Sequence, residues 1–200
     1  MLRRSAIIAL FTASLLASSF GSVPAHPLLP QTSVVIDGIG VDNIRVGEST
    51  KSDVIAAYGA KFKLIEHARY SCEMVYNSGL SFYYCYKDPQ EKIFLVKVQA
   101  TSKVTTGKGV LVGEDTLEDV LNIYGKVELS SPVYSGTVVA QYGGLKFFVE
   151  TNAPEIMRTE EPDEVINNNA EKFLPLKISY IEIMSPLLVC NFCNEYDEKQ

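Results

Sequence analysis

A sixteen-residue stretch occurs twice in this chain, and the duplication constrains the fold more than any other feature. Ile44-Arg-Val-Gly-Glu-Ser-Thr-Lys-Ser-Asp-Val-Ile-Ala-Ala-Tyr-Gly59 returns 66 positions later as Val110-Leu-Val-Gly-Glu-Asp-Thr-Leu-Glu-Asp-Val-Leu-Asn-Ile-Tyr-Gly125. Val46, Gly47, Glu48, Thr50, Asp53, Val54, Tyr58 and Gly59 recur unchanged as Val112, Gly113, Glu114, Thr116, Asp119, Val120, Tyr124 and Gly125. Each copy reads as a turn, a short helix and a stop. Ser49 and Asp115 are suitable N-caps, and Asp115 with Glu118 has capping-box spacing. Val54 and Tyr58, like Val120 and Tyr124, lie four apart and share one helical face. Gly59 and Gly125 stand where helices end. Helices this short are not stable alone, so each needs a sheet beneath it.

Strand-like runs follow each helix. Glu73–Asn77 and Leu80–Tyr86 flank Ser78-Gly79; Val138–Tyr142 and Leu145–Glu150 flank Gly143-Gly144. Both dipeptides suit two-residue hairpin turns. Ile93–Ala100 and Lys177–Met184 supply a third strand to each unit, and Lys63–Tyr70 and Val127–Val133 are candidates for a fourth. The expected fold is α+β: two tandem repeats, each a short helix packed on an antiparallel sheet of three to four strands. The expected organisation is a leader over 1–25, an N-terminal segment over 26–43, a first repeat over 44–105, a second over 106–185, and a tail over 186–200. Leu80 and Leu145 are 65 apart, but Val98 and Ile183 are 85 apart. An acidic insertion over 152–174 accounts for the difference. It reads either as a solvated loop, with a helix near Pro162–Phe173, or as a functional loop.

A two-residue Ser78-Gly79 turn would set Cys72 opposite Cys85 at a non-hydrogen-bonded site, close enough for a disulfide. Leu80, Phe82, Leu145 and Phe147 would then face the helices with Val75, Val138 and Ala140. Met74, Tyr76, Tyr83, Val139, Lys146, Phe148, Glu150, Tyr180 and Glu182 would share the other face. That face is richer in aromatic residues than a solvated sheet requires. It is either covered by another part of the molecule or a second subunit, or it is a recognition surface. In the second case Tyr76, Tyr83, Phe148 and Tyr180 would anchor a partner protein, and Lys146, Glu150 and Glu182 would orient it.

The first 25 residues have the pattern of an export signal: Arg3 and Arg4, an apolar run over Ser5–Leu16, and small residues at Val23 and Ala25. The run is too short to span a bilayer. The expected location is secreted or periplasmic, with no membrane insertion after cleavage. The whole chain has a net charge of −6, and loss of the two arginines makes it −8. Without a dense basic patch, nucleic acid is not an expected partner. In an oxidising compartment Cys190 and Cys193 would form a local disulfide; a zinc site of all four cysteines is the alternative. No catalytic triad, zinc-protease helix, phosphate loop or dinucleotide fingerprint occurs. No catalytic residue, metal ligand or cofactor is therefore assigned. His26 and His67 are isolated, and Asp53, Asp119, Glu48 and Glu114 lie where acidic groups favour a helix N-terminus.

The motif Gly-Glu-Ser-Thr-x-x-Asp-Val-x-x-x-Tyr-Gly over Gly47–Gly59, followed by a hairpin with glycine at its turn, resembles the repeat of β-lactamase inhibitory protein. It is also similar to outer-membrane-assembly lipoproteins of the BamE type. The resemblance runs from Ile44 to about Met184. It implies a tandem of helix-plus-sheet units and a sheet face that grips a partner through aromatic residues. One family implies an enzyme inhibitor, the other a cell-envelope assembly or structural factor. This chain has no Trp, no cysteine pair in its second hairpin, and no cysteine near the end of the leader for a lipid.

Overall fold

A computed structural model describes residues 33–67, 70–132, 135–153, 156 and 159–185. The leader and the tail, with the expected Cys190–Cys193 pair, lie outside the described residues.

The fold is mixed α+β. Helix α1 spans Lys51–Tyr58 and helix α2 Leu117–Tyr124. Their N-caps are Thr50 and Thr116, one residue later than expected. In each, the threonine hydroxyl accepts from the backbone of Asp53 or Asp119, and that aspartate accepts from the threonine backbone. Each aspartate therefore closes a capping box and is held below its ordinary carboxylate range by hydrogen bonds from its threonine. The expected Asp115–Glu118 box does not form; Asp115 accepts from Leu111 N instead. Gly59 and Gly125 end the helices at φ 85° and 99°, a region costly for residues with a Cβ.

The main sheet has eight strands in the order β4-β5-β6-β7-β12-β11-β10-β9, every neighbouring pair antiparallel. They are β4 (Lys63–Glu66), β5 (Ser71–Val75), β6 (Leu80–Cys85), β7 (Ile93–Gln99), β9 (Leu129–Ser130), β10 (Thr137–Tyr142), β11 (Leu145–Glu150) and β12 (Tyr180–Met184). Residues that follow α1 form one half and residues that follow α2 the other. The halves meet where β7 pairs with β12. A second sheet, absent from the sequence reading, has the order β3-β2-β1-β8. It comprises β1 (Val34–Ile36), β2 (Gly40–Val41), β3 (Ile44–Arg45) and β8 (Thr105–Thr106), and its β1–β8 pair is parallel.

Both helices lie on the Phe82/Phe147 side of the main sheet. Val54 and Val120 are fully buried. Tyr58 packs on Phe82 with ring centroids 5.1 Å apart, and Tyr124 packs on Phe147 at the same separation. The small sheet ties down both helix ends, since Tyr58 donates to Asp42 Oδ2 and Tyr124 to Asp37 Oδ2, each at 2.8 Å. Burial first, and the aspartate next, raise Tyr58 above its ordinary range.

The insertion is not a purely solvated loop. Its helix α3 (Pro162–Asn168) buries Ile166, and Phe173 is buried beyond it. Asn167 accepts from Leu129 N and donates to Leu129 O, replacing the next strand at the β9 edge. Leu176 O and Leu174 O accept from the first backbone N–H groups of α2, at Leu117 and Glu118.

Candidate functional site

The first hairpin differs from the sequence expectation by one residue. Met74 pairs with Phe82 and Cys72 with Tyr84, while Cys85 pairs with Ser71. Its loop is Asn77-Ser78-Gly79, closed by Tyr76 N donating to Leu80 O and Gly79 N to Tyr76 O. Gly79 has φ +82°, and a Cβ there would come within 2.6 Å of Thr101 Oγ1. The turn is therefore a three-residue loop with glycine at the positive-φ position.

A one-residue slip exchanges the faces of a strand. Met74 and Tyr76 consequently pack beneath α1, not on the opposite face, and Val75 leaves the helix side. Tyr76 touches Tyr58 and Phe82 and donates to Gly59 O at 2.9 Å. It is core, and is withdrawn as a partner anchor. The Cys72–Cys85 bridge is overturned as well. Cys72 is a free, buried thiol, whereas Cys85 is disulfide-bonded. The second hairpin has the expected two-residue Gly143-Gly144 turn, with Tyr142 opposite Leu145.

Three rows of side chains cross the face turned away from α1 and α2, read from the strand registers. The first runs Glu73, Tyr83, Leu95, Met184. The second runs Val75, Ser81, Lys97, Glu182, Lys146, Gln141. The third runs Gln99, Tyr180, Phe148, Val139, Ser130. Tyr83, Phe148, Tyr180, Lys146 and Glu182 are thus brought onto one surface. Glu150 lies at its margin, exposed beyond Phe148 on β11.

The centre of this surface is built from interlocked groups. Phe148 and Tyr180 stack with ring centroids 4.4 Å apart and planes inclined by 12°. Lys97 Nζ lies 3.8 Å from the Tyr180 ring centre, a cation–π contact. Burial, then the nearby Glu182 and Glu150 charges, pushes the Tyr180 hydroxyl up to about 12. Glu182 lies between Lys97 and Lys146. Burial raises its carboxyl above the usual range, although both lysines oppose the shift.

A second cluster occupies the β5–β6 end. His67 Nε2 and Glu73 Oε2 are 2.9 Å apart, and the His67 ring stacks on Tyr83. Burial works against the Glu73 charge, but hydrogen bonds from His67, then Tyr83, outweigh it and hold the carboxyl below its ordinary range. Ser81 is fully buried and its Oγ makes no well-formed hydrogen bond. His67, Glu73, Ser81 and Lys97 were absent from the sequence-derived set. Lys97 was accessible by alternation from the buried Val96 and Val98; Glu73 and Ser81 needed the correct register.

Among the described residues, no group of three or more His, Cys, Asp or Glu side chains could hold a metal ion. No described helix is long and apolar enough to cross a membrane. The arrangement offers the half-buried Tyr180 ring stacked on the buried Phe148, a half-buried carboxylate at Glu182 and two flanking ammonium groups. These are means of recognition through stacking and charge-assisted hydrogen bonds.

No protein-family model matches the chain, and no curated protein matches it. Among solved structures it is similar to a DUF4309-family protein, YjgB, from Bacillus subtilis. The identity is 13% and the TM-score 0.41, over 72% of this chain and 84% of that one. It is also similar to an extracellular protein containing an SCP domain from Bacillus anthracis, at 14% identity and TM-score 0.38. That likeness covers 72% of this chain and 47% of the other. Likenesses this distant assign neither fold nor activity to the chain.

Proposed function

We propose that this chain is a secreted or periplasmic protein-binding module, built by duplication of one helix-plus-sheet unit, that grips a partner protein through the sheet face opposite α1 and α2. The Phe148–Tyr180 stack with Lys97 over it, beside the Lys97–Glu182–Lys146 row, is the observation on which the binding reading rests. Rigid aromatics bury large areas at small entropic cost, and interfaces concentrate their energy in such groups. Lys146, Glu150 and Glu182 would set orientation.

The duplication is supported by hydrogen bonds that recur at equivalent positions. Gly47 N donates to Ile93 O and Gly113 N to Ile178 O; Ile93 N donates to Ser49 O and Ile178 N to Asp115 O. Tyr76 donates to Gly59 O and Tyr142 to Gly125 O. Leu80 pairs with Val98, and Leu145 with Ile183.

The test is affinity capture from secreted and envelope fractions on immobilised wild-type chain, repeated with Tyr83→Ala and Phe148→Ala. Both variants should fold and should each weaken capture of a specific partner by about 1–3 kcal/mol. A soluble enzyme as partner favours the inhibitor role, and membrane-assembly proteins favour the envelope-factor role. Normal binding by both variants, with loss on deletion of 152–174, overturns the face as the site.

A further inference from the structure

The main sheet ends differently at its two sides. At β9, Asn167 of α3 accepts from Leu129 N and donates to Leu129 O, which closes that edge. At β4 no further strand is added. His67 N donates to Ser71 O at 2.8 Å, and β4 pairs with β5 as Lys63↔Val75, Leu64↔Met74, Ile65↔Glu73 and Glu66↔Cys72. Hydrogen-bonded pairs alternate along an antiparallel ladder, so Lys63, Ile65 and His67 bond to β5. The N–H and C=O groups of Leu64 and Glu66 therefore point away from β5, and among the described residues nothing bonds them. We propose that β4 is a strand-addition site that takes an extended segment of a partner protein, with acidic and apolar side chains in alternation.

The side chains of the edge select this occupant. Leu64 stands on the Met74 side of the sheet, with the helices, while Lys63 and Ile65 stand on the Glu73 side. Lys63, Leu64 and Glu66 are exposed, Leu64 by 46%. Lys63 makes no ion pair among the described residues. An added strand would bond the main chain of Leu64 and Glu66, cover Leu64 with an apolar side chain and set a carboxylate against the Lys63 ammonium.

A second copy of the chain fits less well. Two antiparallel copies of β4 can set Leu64 opposite Glu66, or either residue opposite itself. Lys63 then meets His67 or Ile65, or two Glu66 carboxylates meet. Glu66 never reaches Lys63, because the two stand on opposite faces. Charge therefore favours an acidic strand over self-pairing. β4 lies five positions from β11 in the sheet, so this edge is separate from the Phe148–Tyr180 stack and does not depend on its role.

The test is hydrogen exchange on the full chain, with and without an excess of a short peptide of alternating Asp and Val. The Leu64 and Glu66 amides should exchange severalfold more slowly with the peptide, and the effect should fade at high salt. The Leu129 amide, at the closed edge, should not change. Leu64→Pro removes an outward N–H and no bond of the sheet, so it should keep the fold and abolish the slowing. Lys63→Glu should abolish it too, and should transfer it to a peptide of alternating Lys and Val. Absence of slowing at Leu64 and Glu66, equal slowing of the wild-type chain by the Lys-Val peptide, or unaltered slowing in Lys63→Glu overturns the proposal. Slowing of the same amides on raising the chain's own concentration, without peptide, also overturns it, since the edge then serves a second copy.

Discussion

Glu73 and Glu182 share one sheet face and are shifted in opposite directions from the same ordinary value of 4.5. Glu73 is held down, so its contribution to stability is complete above pH 4.5 and is lost as pH falls through its lower folded value. Glu182 is raised, so the folded state holds its proton more firmly. Its ionisation erodes stability as pH climbs from 4.5 through the higher folded value. Urea melts between about pH 3 and pH 7 should show that Glu73→Gln removes part of the wild-type gain on leaving acid. Glu182→Gln should instead remove a decline. Identical pH profiles for wild type and both variants would show that neither carboxyl is placed as described. The same residues mark the limit of sequence reading. The lysines and carboxylates were visible, but which of them meet depends on register across four strands.

At the scale of elements, the helices were legible because their information is local. Four-residue spacing chose the buried Val54 and Val120, and a glycine followed each last turn. The cap was misplaced by one residue because Ser49 and Thr50, like Asp115 and Thr116, are both competent; the reciprocal bond from Asp53 or Asp119 decides for threonine. Thr50→Ala and Thr116→Ala should each cost about 1 kcal/mol in chemical denaturation. Val54→Ala and Val120→Ala should each cost about 1–3 kcal/mol. Unchanged midpoints in the valine variants would mean that the helices do not pack on the sheet. The slipped hairpin was legible in principle. Tyr76 and Tyr142 are separated by 66 positions, but Leu80 and Leu145 by 65. A two-residue turn in the second hairpin therefore requires three residues in the first. Gly79→Ala should destabilise more than Gly59→Ala, since both have positive φ but only Gly79 would meet neighbouring atoms. Equal losses would argue against the three-residue loop.

At the scale of the molecule, repetition and turn chemistry pointed to α+β, but not to a single sheet of eight strands. The small sheet was missed because its strands are two or three residues long and lack any readable period. Their stability comes from neighbours distant in sequence, such as Tyr124 on Asp37. The junction between the halves has a further consequence, for how the chain is made. Synthesis runs from the N-terminus, so β7 exists some eighty residues before β12, its partner at the centre of the sheet. Throughout that interval residues 93–99 present an open ladder, with Val96 and Val98 beside it. Such an edge invites pairing between nascent chains. A chain ended before residue 177 should accumulate as aggregates, whereas one ended after residue 185 should sediment as a single species; a soluble, monodisperse shorter product would contradict this. The last of the described strands to be made is the one that removes the most hazardous edge.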